Sequence, residues 1–365
     1  MQQFGAIGGS QADEATDGDG RLAWVDNETS ALGRAWYPVA LSTEVTEAPF
    51  AVELLGKPWV LARLGGELVA FADACPHRLM PLSAATVCGQ TLRCSYHGWQ
   101  FDVTGAAVVI PSIEPGTPIT GRARASAPAG LVERYGAVWM ALDDPVSGLP
   151  DFPEWDDESF EVRLDTPSRT TASAAQVMDN SCDVSHFVVV HAGTFGGDAT
   201  ALSSPRSIER DGWKIRATYE THYRVLDDPR IERGELPELQ LSRQTKTFHL
   251  GSTLELRMEF PDLGSTFTIL ASSQPERSGS TRVYRWFARN DIVGDETRWA
   301  ECLKVEEAVM AEDLSALNRY RDYRLPLDLR TEVHVPADRL SLAYRRLLDD
   351  LTQAGGPAAP AEMSA

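Results

Sequence analysis

The sequence predicts an α+β protein of two domains, a small all-β domain followed by an antiparallel sheet flanked by long helices. Three observations carry this. Short runs of strand character punctuated by glycine crowd the region from about residue 35 to 142. Long alternating segments follow: Trp213, Ile215, Ala217, Tyr219, Tyr223 and Val225 share one parity, as do Phe248, Leu250, Leu254, Leu256, Met258 and Phe260. Such alternation means strands with one buried face in an antiparallel sheet. Helical periodicity then appears at about 172 to 190, 296 to 323 and 338 to 353.

Taken in order, residues 1–32 are rich in Gly, Asp, Ala and Gln without apolar periodicity and read as a flexible leader. Ordered structure is expected to begin near Ala35-Trp36-Tyr37-Pro38, and a first domain to span 33–145. Its hairpins include Trp59-Val60-Leu61-Ala62 and Glu67-Leu68-Val69-Ala70-Phe71 around Gly65-Gly66, and a strand at Ala137 to Leu142 closes it. The Pro- and acid-rich stretch from Asp143 to Glu158 reads as the boundary. A second domain is expected over 158–353 and a flexible tail over 354–365, with no internal repeat.

Composition excludes several functions. The net charge of −19 comes from 53 acidic against 34 basic residues, with no basic block to neutralise a phosphate backbone, so nucleic acid is not an expected partner. No segment approaches the roughly 18 apolar residues of a membrane span, and Met1-Gln2-Gln3-Phe4 opens no signal-peptide pattern. No membrane association and a cytoplasmic location are expected. The five cysteines, Cys75, Cys88, Cys94, Cys182 and Cys302, fit metal ligation in a reducing compartment better than a disulfide framework.

The strongest motif is Cys75-Pro76-His77, followed after sixteen residues by Cys94-Ser95-Tyr96-His97-Gly98-Trp99. Each half pairs one cysteine with one histidine. A Rieske cluster needs this stoichiometry, because two thiolates hold one iron and two imidazoles the other. A structural zinc site usually presents its cysteines as one close pair and its histidines as another, so the interleaved order argues against zinc. Cys88 lies between the loops without a nearby histidine and reads as a small buried residue.

In the second domain, Asn180-Ser181-Cys182-Asp183-Val184-Ser185-His186-Phe187-Val188-Val189-Val190-His191 offers two histidines and a carboxylate. On a continuous helix Asn180, Asp183 and His186 would share a face. His191 would be rotated about 140° from His186, so both reach one metal only if the helix ends or bulges between them, and the valine run is a plausible place. Two imidazoles and a carboxylate form the facial triad of non-heme iron oxygenases, with positions left open for dioxygen and substrate. Asp183 can instead accept a hydrogen bond from an imidazole. Further along, Trp299, Cys302, Val309, Met310, Leu317 and Tyr320 define a helical apolar stripe with Asp313 at its centre and Glu312 turned about 100° away. Glu306 also points inward, and periodicity leaves it open beside Asp313. His222, His249 and His334 read as surface residues, His249 being a minor candidate for substrate contact.

At these residues a family resemblance emerges. The two Cys/His loops, with Arg78 after the first and Gln100-Phe101-Asp102 after the second, resemble the Rieske signature of ring-hydroxylating and demethylating oxygenases. The N-x2-D-x2-H-x4-H pattern, followed some 120 residues later by Glu312-Asp313 in a helix, resembles the catalytic domain of the dicamba and vanillate O-demethylase type. The resemblance covers about residues 34 to 350 and implies an N-terminal Rieske domain and a C-terminal helix-grip (START-like) domain.

It implies that Cys75, His77, Cys94 and His97 hold a [2Fe-2S] cluster and that His186, His191 and Asp313 hold Fe(II). Asp183 then matches an aspartate that links an iron-ligating histidine to a cluster histidine, here His97, of an adjacent subunit; Asn180 matches a residue close to the iron. Also implied are a homotrimer closed by a heterologous interface, electrons from NAD(P)H through a separate reductase, with or without a ferredoxin, and dioxygen as co-substrate. The expected activity is hydroxylation or oxidative demethylation of a small, mainly apolar, aromatic or polycyclic substrate. The length favours homomeric monooxygenases and demethylases over dihydroxylating dioxygenases. Two other classes compete: a Rieske electron carrier with a ligand-binding C-terminal domain, and a zinc-stabilised binding module. Iron content separates all three.

Overall fold

Glycine turns between short alternating strands give the first domain its form in the computed structural model, which describes residues 22–196, 205–225 and 228–353. One three-stranded sheet joins Gly130–Arg134, Ala137–Ala141 and Tyr37–Leu41, and another joins Phe50–Leu54, Lys57–Leu64 and Glu67–Ala72. The hairpin between the last two strands turns on Gly65 and Gly66, both at positive φ (61° and 91°), the conformation a two-residue loop demands. A third sheet of Thr86–Cys88, Thr91–Arg93, Gln100–Phe101 and Ala107–Val109 carries the two Cys/His loops, whose thiols border a core of Val60, Phe71, Leu82, Leu92 and Phe101. Cys88, expected to be buried, is half-buried at the end of its strand.

The second domain is an eight-stranded antiparallel sheet. Its main path runs Glu161–Leu164, Ser280–Arg289, Ser265–Arg277, Thr253–Phe260, Leu239–His249, Lys214–Arg224 and Ser207–Asp211, and Ser168–Thr170 pairs alongside Ser280–Arg289. Ile215, Ala217 and Tyr219 are buried on the parity the sequence indicates. Five α-helices accompany it among the described residues: α1 (Ala174–Cys182), α2 (Phe187–Val190), α3 (Pro229–Glu232), α4 (Glu296–Leu317) and α5 (Arg339–Thr352). A Ser173/Gln176 capping box starts α1, and the Asp295 carboxylate starts α4 by accepting from Arg298 N. α5 lays Tyr344, Leu347, Leu348 and Leu351 into the core, with the Tyr344 ring 6.0 Å from that of Phe248.

Four expectations change. The leader does not extend to residue 32, because Trp24–Val25 pairs with Leu325–Pro326 and the buried Asn27 ties three segments together. Its amide donates to Arg277 O, Ser280 O and Thr281 Oγ1, and its Oδ1 accepts from Ala174 N. A polar residue with every group satisfied internally is invisible to a hydrophobicity pattern. Residues 1–21 and the tail 354–365 lie outside the described residues. Second, the helix expected over 172–190 is split after Cys182, and the one expected to 323 ends at Leu317, which leaves Tyr320 exposed.

Third, the boundary stretch is clamped: Phe152 and Glu154 are buried, and Glu154 accepts from Arg257 Nη1 (2.5 Å) and Thr268 Oγ1 (2.7 Å). One apolar core runs through both domains, joining Val39 and Val138 to Ile215, Phe248 and Leu347. Fourth, His249 is buried rather than on the surface, beside Gly251, where an added Cβ would lie 2.9 Å from the Ala35 Cβ of the first domain. His222 is exposed, and the partly buried His334 meets Leu329 O at 2.8 Å. No helix among the described residues is long and apolar enough to cross a membrane.

Candidate functional site

The two Cys/His loops are built alike. In the first, Cys75 N donates to Met80 O and Leu79 N donates back to Cys75 O; in the second, Cys94 N donates to Trp99 O and Gly98 N to Cys94 O. Each loop reverses four residues after its cysteine through positive φ, at Leu79 (58°) and Gly98 (70°). Cys75 and Cys94 are buried free thiols, and burial, with Cys94 close by, pushes the Cys75 thiol up. The His77 and His97 rings meet edge to face at 4.5 Å, and His77 stacks on Trp99 at 4.6 Å. His77 Nδ1 is buried without a hydrogen-bond partner, as a ligating nitrogen would be. Two thiols and two imidazoles so disposed fit a [2Fe-2S] cluster.

The second group depends on where α1 stops. Asp183 takes an extended conformation (φ −84°, ψ 140°), and its carboxylate accepts from Ser185 N (2.7 Å) and His186 N (3.1 Å), which starts a new turn. α1 thus stops ahead of the valine run, which itself forms the single turn α2 with His186 and His191 at its two ends, so a helix does end between them. The chain then folds back so tightly that a Cβ on Gly196 would stand 2.4 Å from both Phe187 O and His191 O. The two imidazole centroids lie 5.1 Å apart.

Asp313 approaches from α4. Its Oδ1 lies 3.5 Å from His186 Nε2, 3.2 Å from His191 Nε2 and 3.0 Å from Asn180 Nδ2, and the ligand atoms of His186, His191 and Asp313 all fall within 4.8 Å of one another. Each Nδ1 faces a different carboxylate: Asp183 Oδ2 at 3.3 Å from His186, Glu312 Oε2 at 2.9 Å from His191. A neutral imidazole that donates through Nδ1 has a lone pair on Nε2. With the protons on Nδ1, two such lone pairs and a carboxylate oxygen meet at one point, and that donor set fits iron.

The same groups shift one another's ionisation. Burial opposes ionisation of Asp313, but its close contacts with the His186 and His191 imidazoles outweigh it and hold the carboxyl well below its ordinary range. Asp183 is held at about 2, its burial likewise outweighed by hydrogen bonds from His186 and Ser185. Burial disfavours charge on His186 and His191, yet their carboxylate partners raise both.

Beside this group lies a cavity of about 150 Å3. α1, α2 and α4 supply one wall, including His186, Phe187, Val309, Met310 and Asp313, and the sheet supplies the other, including Leu254, Leu256, Met258, Ile269 and Ala271. Glu306, which periodicity left open beside Asp313, lies two turns away on α4 with its Oε2 3.8 Å from Arg285 Nη1. His249 is not among the lining residues.

Sequence reasoning missed Glu312, which sits beside the stripe and yet reaches His191 and Thr194 (2.8 Å) because α2 packs against that flank. It also missed Gln244 and Lys246 on the cavity wall. Polar residues in alternation look solvent-facing; their shared parity with buried Phe248 is the signal that could have found them.

Comparison with known proteins gives two family matches: the Rieske [2Fe-2S] domain over residues 35–132, and the vanillate O-demethylase oxygenase C-terminal domain over residues 170–354. The chain is 29% identical over 340 residues to methylxanthine N1-demethylase of Pseudomonas putida, covering 91% of this chain and 92% of that protein. It is 34% identical over 191 residues to the oxygenase component of dicamba O-demethylase from Stenotrophomonas maltophilia, covering 49% and 53%. The structure of the P. putida N1-demethylase with caffeine superposes with a TM-score of 0.77 over 90% of this chain and 93% of that one, at 29% identity. The chain thus belongs to the Rieske non-heme iron oxygenases, oxidoreductases that use molecular oxygen, a [2Fe-2S] cluster and a mononuclear iron, with electrons from a separate reductase.

Proposed function

We propose that this chain is the terminal oxygenase of a cytoplasmic hydroxylating or demethylating system, with its cluster on Cys75, His77, Cys94 and His97 and its iron on His186, His191 and Asp313. The observation that carries the reading is the convergence of three ligand atoms within 4.8 Å at the wall of a largely apolar cavity. A cavity of about 150 Å3 is of the size that admits a benzene ring, which favours a small aromatic or purine-like substrate bearing a methyl group. The relatives that act as methylxanthine and dicamba demethylases support that class. The chemistry supplied at the iron is reductive activation of dioxygen for attack on a substrate C–H bond.

The protein's own groups do the rest. Asp183 and Glu312 fix the orientation of the two imidazoles through Nδ1, leaving each Nε2 for the metal. Asn180 holds Asp313 by one hydrogen bond. Leu254, Leu256, Met258 and Ile269 exclude water from the space where a substrate ring would lie. His97 is exposed and Asp183 partly so, which suits a link from the cluster of one subunit to the iron of the next in a homotrimer.

Asp183→Asn tests this link. The variant is expected to keep the cluster spectrum and about one iron beyond the cluster's two, yet to lose oxygen-dependent product formation. Undiminished turnover would reject the relay, and a wild-type protein with no third iron would favour a plain electron carrier.

A further inference from the structure

The cavity wall opposite the metal group contains a buried cation that no step above uses. Lys246 is 2% exposed on Leu239–His249 and lies in register with Ala217 on one side and Leu256 on the other, with Ile269 next along the same sheet face. Its Nζ donates to Ser181 O at 2.7 Å and stands 5.6 Å from the ring centroids of both Phe187 and Tyr219. It forms no ion pair with a carboxylate among the described residues. Burial pushes it down to about 8, so it is still mostly protonated at neutral pH.

A carbonyl and two aromatic faces are weak compensation for a desolvated charge, which ordinarily needs an anion beside it. Asp183 and Asp313 act on it only through space, and both are engaged by the histidines. Iron(II) on two neutral imidazoles and one carboxylate would leave one positive charge there, offset by the Asp183 and Glu312 carboxylates at the Nδ1 atoms, so the metal group supplies no anion free to pair with Lys246. Two positions along the same strand, and on the same face, Gln244 adds an amide to the lining.

We propose that Lys246, assisted by Gln244, forms an anion-recognising subsite, and that the substrate is a small aromatic acid whose carboxylate or sulfonate docks on Lys246 while its methyl-bearing end faces His186, His191 and Asp313. This rests on the oxygenase reading for the orientation of the substrate, but not for the preference in binding. An ammonium–carboxylate hydrogen bond in a dry cavity is roughly twice as strong as a neutral one, so the preference belongs to charge and not to hydrogen bonding alone.

The test is equilibrium binding to the iron-loaded holoenzyme without oxygen, by calorimetry, with para-methoxybenzoate and para-methoxybenzenesulfonate against the neutral para-methoxybenzamide, and naphthoate against naphthamide. Wild type is expected to bind at least one anion about tenfold or more tightly than its neutral counterpart. Lys246→Met and Lys246→Gln, checked by cluster absorbance and melting temperature, should both abolish that difference while leaving amide binding within about threefold; Gln retains a donor and isolates charge. Equal binding of acid and amide, no binding of any acid, or a preference that survives both substitutions overturns the proposal. Formaldehyde release on adding oxygen and reductase is read separately: a charge preference without product counts against the oxygenase reading and leaves the subsite standing.

Discussion

The two proposed metal centres are made in opposite ways. The cluster group comes from two short loops that close on themselves, Cys75 to Met80 and Cys94 to Trp99, near the surface with His97 exposed. The iron group is assembled across the fold, from the one-turn α2 and from α4, with His191 and Asp313 more than a hundred residues apart in the chain and His191 only 1% exposed. A local site can sit at the surface, where electrons arrive from another protein. A site that must control what meets its reactive position has to be enclosed, and enclosure takes the whole domain.

The comparison implies that the centres fail independently, and the largest expected effect tests this. Asp313→Ala leaves two imidazoles and no anionic ligand. The third iron per chain and oxygen-dependent turnover should disappear while the cluster absorption is unchanged; loss of both signals would show the centres to be coupled in folding.

Next is the cost of the enclosure. Lys246 is lowered from 10.5 to about 8 by burial. Below pH 8 the folded protein holds a charge that the unfolded chain solvates better; between 8 and 10.5 the unfolded chain binds more protons, so stability rises with pH through that window. Lys246→Met is expected to be more stable than wild type at pH 7, by up to roughly 3 kcal/mol. The advantage should shrink toward pH 10 in denaturant titrations, and a pH-independent difference would reject the assignment.

Glu312→Gln replaces the anionic partner of His191 Nδ1, and partners of this kind are worth about 10–100-fold in metal affinity. Competition with a chelator should show that loss at the iron and none at the cluster. The smallest effect distinguishes the two cluster loops. Leu79, exposed, occupies the left-handed position that Gly98 fills in the other. Strain there is about 1–2 kcal/mol, partly offset by the entropy of a new glycine, so Leu79→Gly is expected to raise stability by about 0.5–1 kcal/mol in thermal unfolding. A drop would mean that Leu79 makes a contact the isolated chain does not display.

The same contrast explains what was legible in the sequence. The cluster loops announce themselves because stoichiometry and closure are local, and the strand parity of Ile215, Ala217 and Tyr219 follows from burial of one face. His186 and His191 can be paired by spacing, and the valine run does end a helix before His191, but the start of that one-turn helix is set by the side chain of Asp183 capping it, which periodicity does not show. Glu312 was read as turned away because periodicity describes a helix against one core, whereas α4 also meets α2 on its flank. Asn27 and Lys246 escaped for one reason: a buried polar group looks like a surface residue until its partners are known.

All the proposed iron donors come from α2 and α4, whereas most of the opposing wall projects from alternate positions of neighbouring strands. Reactivity and selectivity are therefore housed in different layers. A side chain on a strand face can be exchanged with little displacement of the backbone, and none of those exchanges touches the donor set. Such a scaffold can change its diet one residue at a time while the oxidant stays the same, and a lineage of these proteins would be expected to diverge fastest along the sheet wall and slowest along the two helices that face it.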